Sequence, residues 1–384
     1  MPLLSDKTYL YTELAQEKGV VLPTPKTEAW KYTRLRDLLN TEYQLCPSTD
    51  KTGSLPPFEA DVIHIGNGWV VGELPRIEGV SLSFITETME KTQHPFALMN
   101  AAYLTQGLKI EISGKLKRPL LLNYFVVPED KNYFYHFRNQ IICHENSSAE
   151  IIEQFTYEGA VKSCYFANIV NEIRIEANAK LHHYKYQNEA FKANHIALHK
   201  VAISQSGEYE SFCLQKGANI ARNETEIALN GEGAEAVVNA AYMMNGWATL
   251  DTTTNIYHYV PHTKSSQLIK GVIGGTAHGV FQGRIHIAPN AIQTTGTQLH
   301  KAILLSDEAE IDVKPELEIF ADDVKCSHGA ASGELDKEQL FYMRSRGIGE
   351  EEAKQILINA YLTDTITQIS DERVREWFKI LITG

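Results

Sequence analysis

Glu172-Ile173-Arg174-Ile175-Glu176-Ala177-Asn178-Ala179 is the stretch whose reading decides the fold. Two isoleucines alternate with charged neighbours, as on a strand with one buried face, and three residues of turn character then lead to an alanine small enough to point into a tight corner. The pattern of apolar, any, apolar, three turn residues and alanine recurs at Ile285, Ile287 and Ala291, and at Ile303, Leu305 and Ala309. Ile227, Leu229 and Ala234 repeat it with one residue more. Ala149, Ala179, Ala234 and Ala309 stand 30, 55 and 75 residues apart, close to multiples of a single interval. Strand, corner and strand repeated in this way make one rung of a parallel β-solenoid. A β-sandwich also has many short strands, but its hairpins tend to carry Asn-Gly or Asp-Gly loops. Between residues 108 and 324 the only such pairs are Asn230-Gly231 and Asn245-Gly246. The expectation is a mainly β chain built on a parallel β-helix core.

Working outward, the period changes at both ends of this region. Ten of the thirteen prolines lie at or before Pro128, so the N-terminal part is the irregular one. It suggests helices over Asp6 to Lys18, Thr27 to Leu39 and His94 to Gln106, a linker around Pro47, Pro56 and Pro57, and a strand over Asp61 to Val71. From Leu108, with Ile110 and Ile112, the period is 2. After Gly333 it returns to 3.6: Asp336 and Gln339 resemble a capping box, and Gly347 ends the helix they open. Ala353, Ile356, Leu357, Ala360 and Tyr361 form one apolar stripe, and Val374, Trp377, Phe378 and Leu381 form another. The expected divisions are therefore a mostly helical region 1–106, a β-helix core 107–330 and a helical domain 331–384. The last helices would either cap the open end of the solenoid or dock a partner subunit.

Charge and cysteine usage narrow the function. Thirty-six Lys plus Arg against 48 Asp plus Glu leave a net charge of −12, which argues against a nucleic-acid partner. The start, Met1 to Lys7, lacks a basic and then apolar leader, and no run of about 18 uncharged apolar residues follows, so a cytoplasmic location and no membrane partner are expected. Cys46, Cys143, Cys164, Cys213 and Cys326 are odd in number and without a CxxC pair, indicating neither a disulfide framework nor a self-contained zinc site.

The chain has no GxxxxGK[ST] loop, and the glycines from Gly271 to Gly283 read as solenoid turns rather than a phosphate cradle. His195 and His199 have i, i+4 spacing, but the intervening Ile196-Ala197-Leu198 lacks the glutamate of HExxH and alternates like a strand. His182, His183, His258 and His262 read as ordinary strand or loop residues, and His286, between Ile285 and Ile287, should face outward. Cys326-Ser327-His328-Gly329 is different because it sits where the β region ends. In an extended segment Cys326 and His328 project the same way and offer a thiolate and an imidazole to a soft or borderline metal, half of a closed site. Either the pair is incidental or a second chain completes it.

Three further stretches carry a resemblance: Pro23-Thr24-Pro25-Lys26-Thr27-Glu28-Ala29-Trp30-Lys31-Tyr32-Thr33, Ala97-Leu98-Met99-Asn100-Ala101-Ala102, and Asp323-Val324-Lys325-Cys326-Ser327-His328-Gly329-Ala330 followed by Leu340-Phe341-Tyr342-Met343-Arg344-Ser345-Arg346-Gly347-Ile348. In this order, over essentially the whole chain, they resemble the SufD family, subunits of the SUF iron-sulfur cluster assembly complex. The related SufB-type chains have a CxxC-type motif near the N-terminus, where Cys46 stands alone here, and a Glu-His-Glu-like stretch where this chain has Cys326-Ser327-His328. The resemblance implies a right-handed parallel β-helix flanked by helical parts and a non-catalytic scaffold that meets a SufB-type subunit and SufC-type ATPases. It places a transient iron-sulfur cluster at the SufB interface with His328 as ligand and Cys326 beside it, no cofactor held tightly by the isolated chain, and homodimerisation as an alternative assembly of that chain. It assigns SufC binding to the C-terminal helices, through Leu340, Phe341, Tyr342, Arg344, Arg346, Ile348, Ile356, Leu357 and Tyr361. Two readings from other classes are a β-helix carbohydrate-active enzyme using Glu316 with Glu318 or Asp322 with Asp323, and an interaction solenoid without metal chemistry.

Overall fold

The corner foretold by Glu176 to Ala179 exists, and it turns on a left-handed residue. In the computed structural model, which describes residues 7–86, 92–127, 130–160 and 163–383, Asn178 has φ 57°. Asn146, Ser206, His262, Gln293 and Asp323 adopt φ between 52° and 60° at the matching corners of other rungs. Asparagine tolerates this region because its short polar side chain can bond locally, and Asn178 Nδ2 donates to Asn146 Oδ1 at 3.3 Å. The corners stack through their backbones as well: Asn146 N donates to Ala177 O, Asn178 N to Gln205 O and Ser206 N to Glu232 O. At each corner the chain crosses to the opposite sheet instead of folding back, so hairpin loops are not needed.

The result is two facing parallel sheets that the chain visits alternately, a β-solenoid of about eight turns. The first sheet holds Tyr133–Cys143, Tyr165–Ile175, Ala193–Ile203, Ile220–Leu229, Thr249–His258, His278–Ile287 and Glu310–Ile319. The second holds Leu120–Val126, Ser148–Tyr157, Lys180–Glu189, Glu208–Gly217, Glu235–Met244, Lys264–Ile273, Thr295–Leu304 and Lys325–Gly333. Neighbouring rungs are in register at offsets such as 26 (Asn194 beside Ile220) and 32 (Tyr133 beside Tyr165), bracketing the interval read from the alanines. Ala179, Ala234 and Ala291 are fully buried at one corner, whereas Ile303-Leu305-Ala309 belongs to the opposite corner and Ala149 lies within a strand, so the motif marks corners of both kinds. Two glycines expected in turns are strand residues: a Cβ on Gly271 would come within 1.9 Å of Tyr242 Cζ, and one on Gly283 within 2.6 Å of the Gln298 amide.

The outer face of the first sheet is covered by the N-terminal segment. Its helices are shorter than the periodicity suggests. The first is Tyr11–Glu17, with the expected start at Asp6 outside the described residues, and the third is Pro95–Ala102. Thr27 to Leu39 is not one helix but a turn of 3₁₀ helix, Glu28–Trp30, and a short helix, Arg36–Asn40. Tertiary contacts override local propensity here. Trp30 lies over the Arg222 guanidinium at 3.9 Å, Thr33 Oγ1 donates to Asp251, and Gln282 Nε2 donates to the Ala29 carbonyl at 3.2 Å. Asn100 serves the same purpose from the third helix, its amide donating to the carbonyls of Phe137 and Asn168 on adjacent rungs.

The outer face of the second sheet is covered by the C-terminal helices Glu350–Ile366 and Glu372–Thr383. Trp377 and Phe378 pack on Tyr186, and Phe378 on Phe212. These helices lie along the sheet and do not cap the solenoid, and the buried stripe of the longer one is Ala353, Ile358, Leu362 and Ile366. Ile356 and Ala360, expected inside, face outward. Asp336 caps Lys337–Ser345 as anticipated, accepting from the backbone N–H groups of Glu338 and Gln339, and Gly347 follows with φ 89°. Among the described residues no helix is long and apolar enough to cross a membrane.

Candidate functional site at the solenoid rim

Alternation along the strands turns every second side chain of each sheet into the solenoid, in rows that run from rung to rung. On the second sheet one such row runs Ile151, His183, Ser211, Val238, Gln267, Gln298 and His328, each beside the next in register. At 4.7–4.9 Å per strand, His328 lies about 24 Å along the solenoid from His183. Cys326 ends the neighbouring inward row, after Tyr209, Ala236, Ser265 and Gly296. Cys326 and His328 therefore point the same way on the terminal strand, as their spacing predicts. That strand, Lys325–Gly333, pairs with Thr295–Leu304 on one side, and its other edge carries no strand among the described residues. Glu310–Ile319 likewise ends the first sheet.

The rim is consequently open: His328 is exposed and Cys326 half-buried. Burial pushes the Cys326 thiol above its ordinary value, the backbone hydrogen bond with Gly296 only partly offsetting it. A nearby cation or metal would be needed to make it a thiolate at neutral pH. Beside the rim stand Ile319, Phe320 and Leu305, with Phe320 62% exposed.

The remaining residues singled out from the sequence lie just beyond. Helix Lys337–Ser345 buries none of its residues, leaving Phe341 73% and Tyr342 58% exposed. Leu340 and Ile348 are half-buried. Arg346 covers the Tyr342 ring, and Arg344 pairs with Glu350 at 3.3 Å. Ile356 is exposed, while Leu357 and Tyr361 line a groove of about 500 Å³ with Leu335, Gln339 and Ile303. The Tyr361 carbonyl accepts from Lys270, fixing the long helix to the sheet.

Of the histidines, His195 and His199 do lie on a strand and both point inward, as alternation predicts. His286 is on the outer face, 3.0 Å from Glu318. His258 is a buried corner residue bonded to Thr263 and Ser265. His183 and His199, read as unremarkable, converge with Glu153 in the interior, their ligating atoms all within 4.8 Å of one another. Spacing could not have shown this, since the three come from three strands on two sheets. Burial raises Glu153, but the hydrogen bond and charge of His183, with His199 and Lys185, outweigh it and hold the carboxyl well below its usual range. Of the two carboxylate pairs of the carbohydrate reading, Glu316 with Glu318 is engaged in ion pairs, Glu318 with His286 and Arg284 and Glu316 with Lys314, while Asp322 and Asp323 are exposed at the last corner.

A sequence model of the family described as "SUF system FeS cluster assembly, SufBD core domain" matches residues 125–361, which comprise most of the solenoid and the first part of the C-terminal helices. The chain is 30% identical over 372 residues to the iron-sulfur cluster assembly protein SufD of Escherichia coli, covering 92% of this chain and 87% of that one. It is 27% identical to an iron-sulfur cluster assembly SufBD family protein of Synechocystis, covering 91% and 84%. With SufD of Bacillus subtilis the identity is 25%, over 76% of this chain and 67% of that protein.

Proposed function

Because the chain belongs to the SufBD family of the SUF iron-sulfur cluster assembly system, and to its SufD-like members, we propose that it is a non-catalytic scaffold subunit on whose rim a cluster is assembled against a SufB-type partner, in the cytoplasm. The observation that carries the reading is the position of Cys326 and His328 on the inward face of a terminal strand whose outer edge carries no strand among the described residues. A free parallel edge is a template for a strand from another chain. A second solenoid docked there would continue the interior across the joint and bring its own ligands opposite His328. Iron, as cargo, accepts imidazole, thiolate and sulfide together, so two half sites on two chains make one whole.

The exposed Phe341, Tyr342 and Ile356 support the C-terminal helices as the docking surface for a SufC-type ATPase, with Leu340, Arg344, Arg346, Ile348, Leu357 and Tyr361 completing it. Those helices are tied to the second sheet by Lys270, which meets Asp364 at 2.5 Å, and by Lys216, which donates to the Leu381 carbonyl. A movement imposed by ATP-driven association of the ATPases would pass through these ties and open the joint at the rim.

In the complex reconstituted with SufB- and SufC-type subunits, His328→Ala is expected to leave assembly intact and reduce the yield of iron-sulfur cluster, measured anaerobically by absorbance and by iron and sulfide content. Wild-type yield from this variant would overturn the cluster assignment and leave an interaction solenoid without metal chemistry.

A further inference from the structure

The interior of the solenoid holds a second constellation, five rungs from the rim. Glu153 and His183 come from adjacent strands of the second sheet, and His199 reaches them from the first sheet across the core. All three are buried, and their candidate ligand atoms lie within 4.8 Å of one another. His183 Nε2 is 3.1 Å from Glu153 Oε2, and His199 Nδ1 is 3.9 Å from the same oxygen. His183 and His199 border a cavity of about 40 Å³, lined also by Lys185, Tyr209 and Cys213. A space of that size exceeds the 10–15 Å³ that one water needs.

If this were only a buried ion pair that sets strand register, every polar atom should be satisfied, because an unpaired buried carboxylate oxygen is costly. Glu153 Oε1, fully buried, has no hydrogen-bond partner among the described residues. The His183 ring is in turn fixed from outside, Tyr209 Oη lying 3.0 Å from Nδ1, the nitrogen opposite the one that faces Glu153. A partner one bond behind the ligand atom is what metal-binding histidines use. The Asn171 amide lies 2.9 Å from both His199 Nδ1 and Glu153 Oε2 and holds those two atoms together in the place an ion would take.

From this geometry we propose that Glu153, His183 and His199 form an internal site for a first-row divalent transition cation, distinct from the rim. Two imidazoles and a carboxylate suit Zn²⁺, Fe²⁺ or Co²⁺, with the fourth position toward the cavity for water. Bonds near 2.1 Å in a tetrahedral arrangement bring ligands to about 3.4 Å from one another, so the present spread closes with side-chain adjustments. Protons balance locally. His183 can carry its hydrogen on Nδ1, donated to Tyr209 Oη, leaving the Nε2 lone pair for the ion, because a hydroxyl can accept as well as donate. The ion replaces the Asn171 hydrogen bond at His199. Lys185, the nearest cation, is turned to other partners: its Nζ lies 2.8 Å from His195 Nε2, 2.5 Å from Asn223 Oδ1 and over the Phe155 ring. Toward the rim the interior stays partly polar, with Thr254 Oγ1 donating to Gln267 and the Gln267 amide to Gln298.

The test uses the full chain, stripped with chelator and titrated with Co²⁺, followed by visible spectroscopy and by metal analysis after desalting. One retained Co²⁺ per chain with d–d bands of a low-symmetry nitrogen and oxygen site is expected. Glu153→Gln and His199→Gln should lose it, Tyr209→Phe should weaken it by about 10- to 100-fold, and the double variant Cys326→Ser, His328→Ala should keep it. No retained ion in the wild-type chain overturns the proposal without recourse to any variant. Binding that survives in Glu153→Gln and His199→Gln, or that disappears with the rim variant, overturns it as well. Circular dichroism of each variant separates loss of the ion from loss of the fold.

Discussion

His183 and His328 occupy the same inward row of the same sheet, yet one is 2% exposed and the other open to solvent. What separates them is whether another rung follows. His183 has strands on both sides, His199 across from it and Tyr209 behind it. Among the described residues His328 has a strand on one side only. In a solenoid, then, register decides which residues face inward, but position along the stack decides whether that face is a packed core or open to solvent. The body should carry stability and the rim function, and the difference can be attacked at several points.

The largest effect belongs to the outer seal of the body. Arg222 is fully buried on the first sheet between Asp251 and Glu224, at 2.5 and 2.7 Å, with Trp30 and Thr33 of the N-terminal segment closing over it. Removing Arg222 leaves two buried carboxylates without their cation, a loss of about 3–5 kcal/mol. Arg222→Met should therefore lower the denaturant midpoint sharply. A cost below about 1 kcal/mol would mean that water reaches Asp251 and Glu224 and that the N-terminal segment is not a seal.

Next comes the pH dependence of the interior. Burial pushes His136 down to about 3, and His258 and His300 down to about 4, from an ordinary 6.5. The folded chain keeps them neutral while the unfolded chain takes up protons near 6.5, so the unfolded state binds more protons in this window. Stability thus falls as pH drops from about 6.5 to about 4, by up to about 1.4 kcal/mol per pH unit for each histidine. Glu224 acts lower down: burial raises it, but the Arg222 charge and the His94 hydrogen bond bring it to about 2, so its share is lost from 4.5 downward. Urea unfolding as a function of pH should show both stages, and His300→Gln should flatten the first. An unchanged slope in that variant would place water in the core.

How much of this was legible beforehand follows from the geometry. The corner stretch Glu172 to Ala179 could be read because strand alternation and a small corner residue are local properties. The terminal pair Cys326 and His328 could be read for the same reason: two residues apart on one strand share a face. Thr27 to Leu39 does not form the single helix its periodicity suggests, because the Trp30 and Thr33 side chains are committed to Arg222 and Asp251, partners roughly two hundred residues away. Glu153, His183 and His199 were invisible as a group, since their convergence needs the register between rungs and the spacing between sheets. Even an exact rung length would have placed Glu153 beside Lys185, its true neighbour in register, rather than His183.

The smallest effect is the sharpest test of the comparison. A substitution at an exposed site away from caps, cores and buried pairs changes stability by no more than about 0.5 kcal/mol, and His328 meets that description in the isolated chain. His328→Ala should leave the midpoint of unfolding where it was, whereas His183→Gln, in the same row, removes the partner of a buried carboxylate and should shift it clearly. The asymmetry depends on the rim being free. If a second chain covers the terminal strand as proposed, His328 gains a neighbour on its open side and becomes an interior residue of a longer solenoid. The same His328→Ala should then weaken the complex slightly or not at all while removing the proposed ligand from the joint, so its consequence moves from folding to chemistry. Equal shifts for His183→Gln and His328→Ala in the isolated chain would mean that the rim is already covered, as in a homodimer joined through its terminal strands, and the mass of the species in solution would settle which.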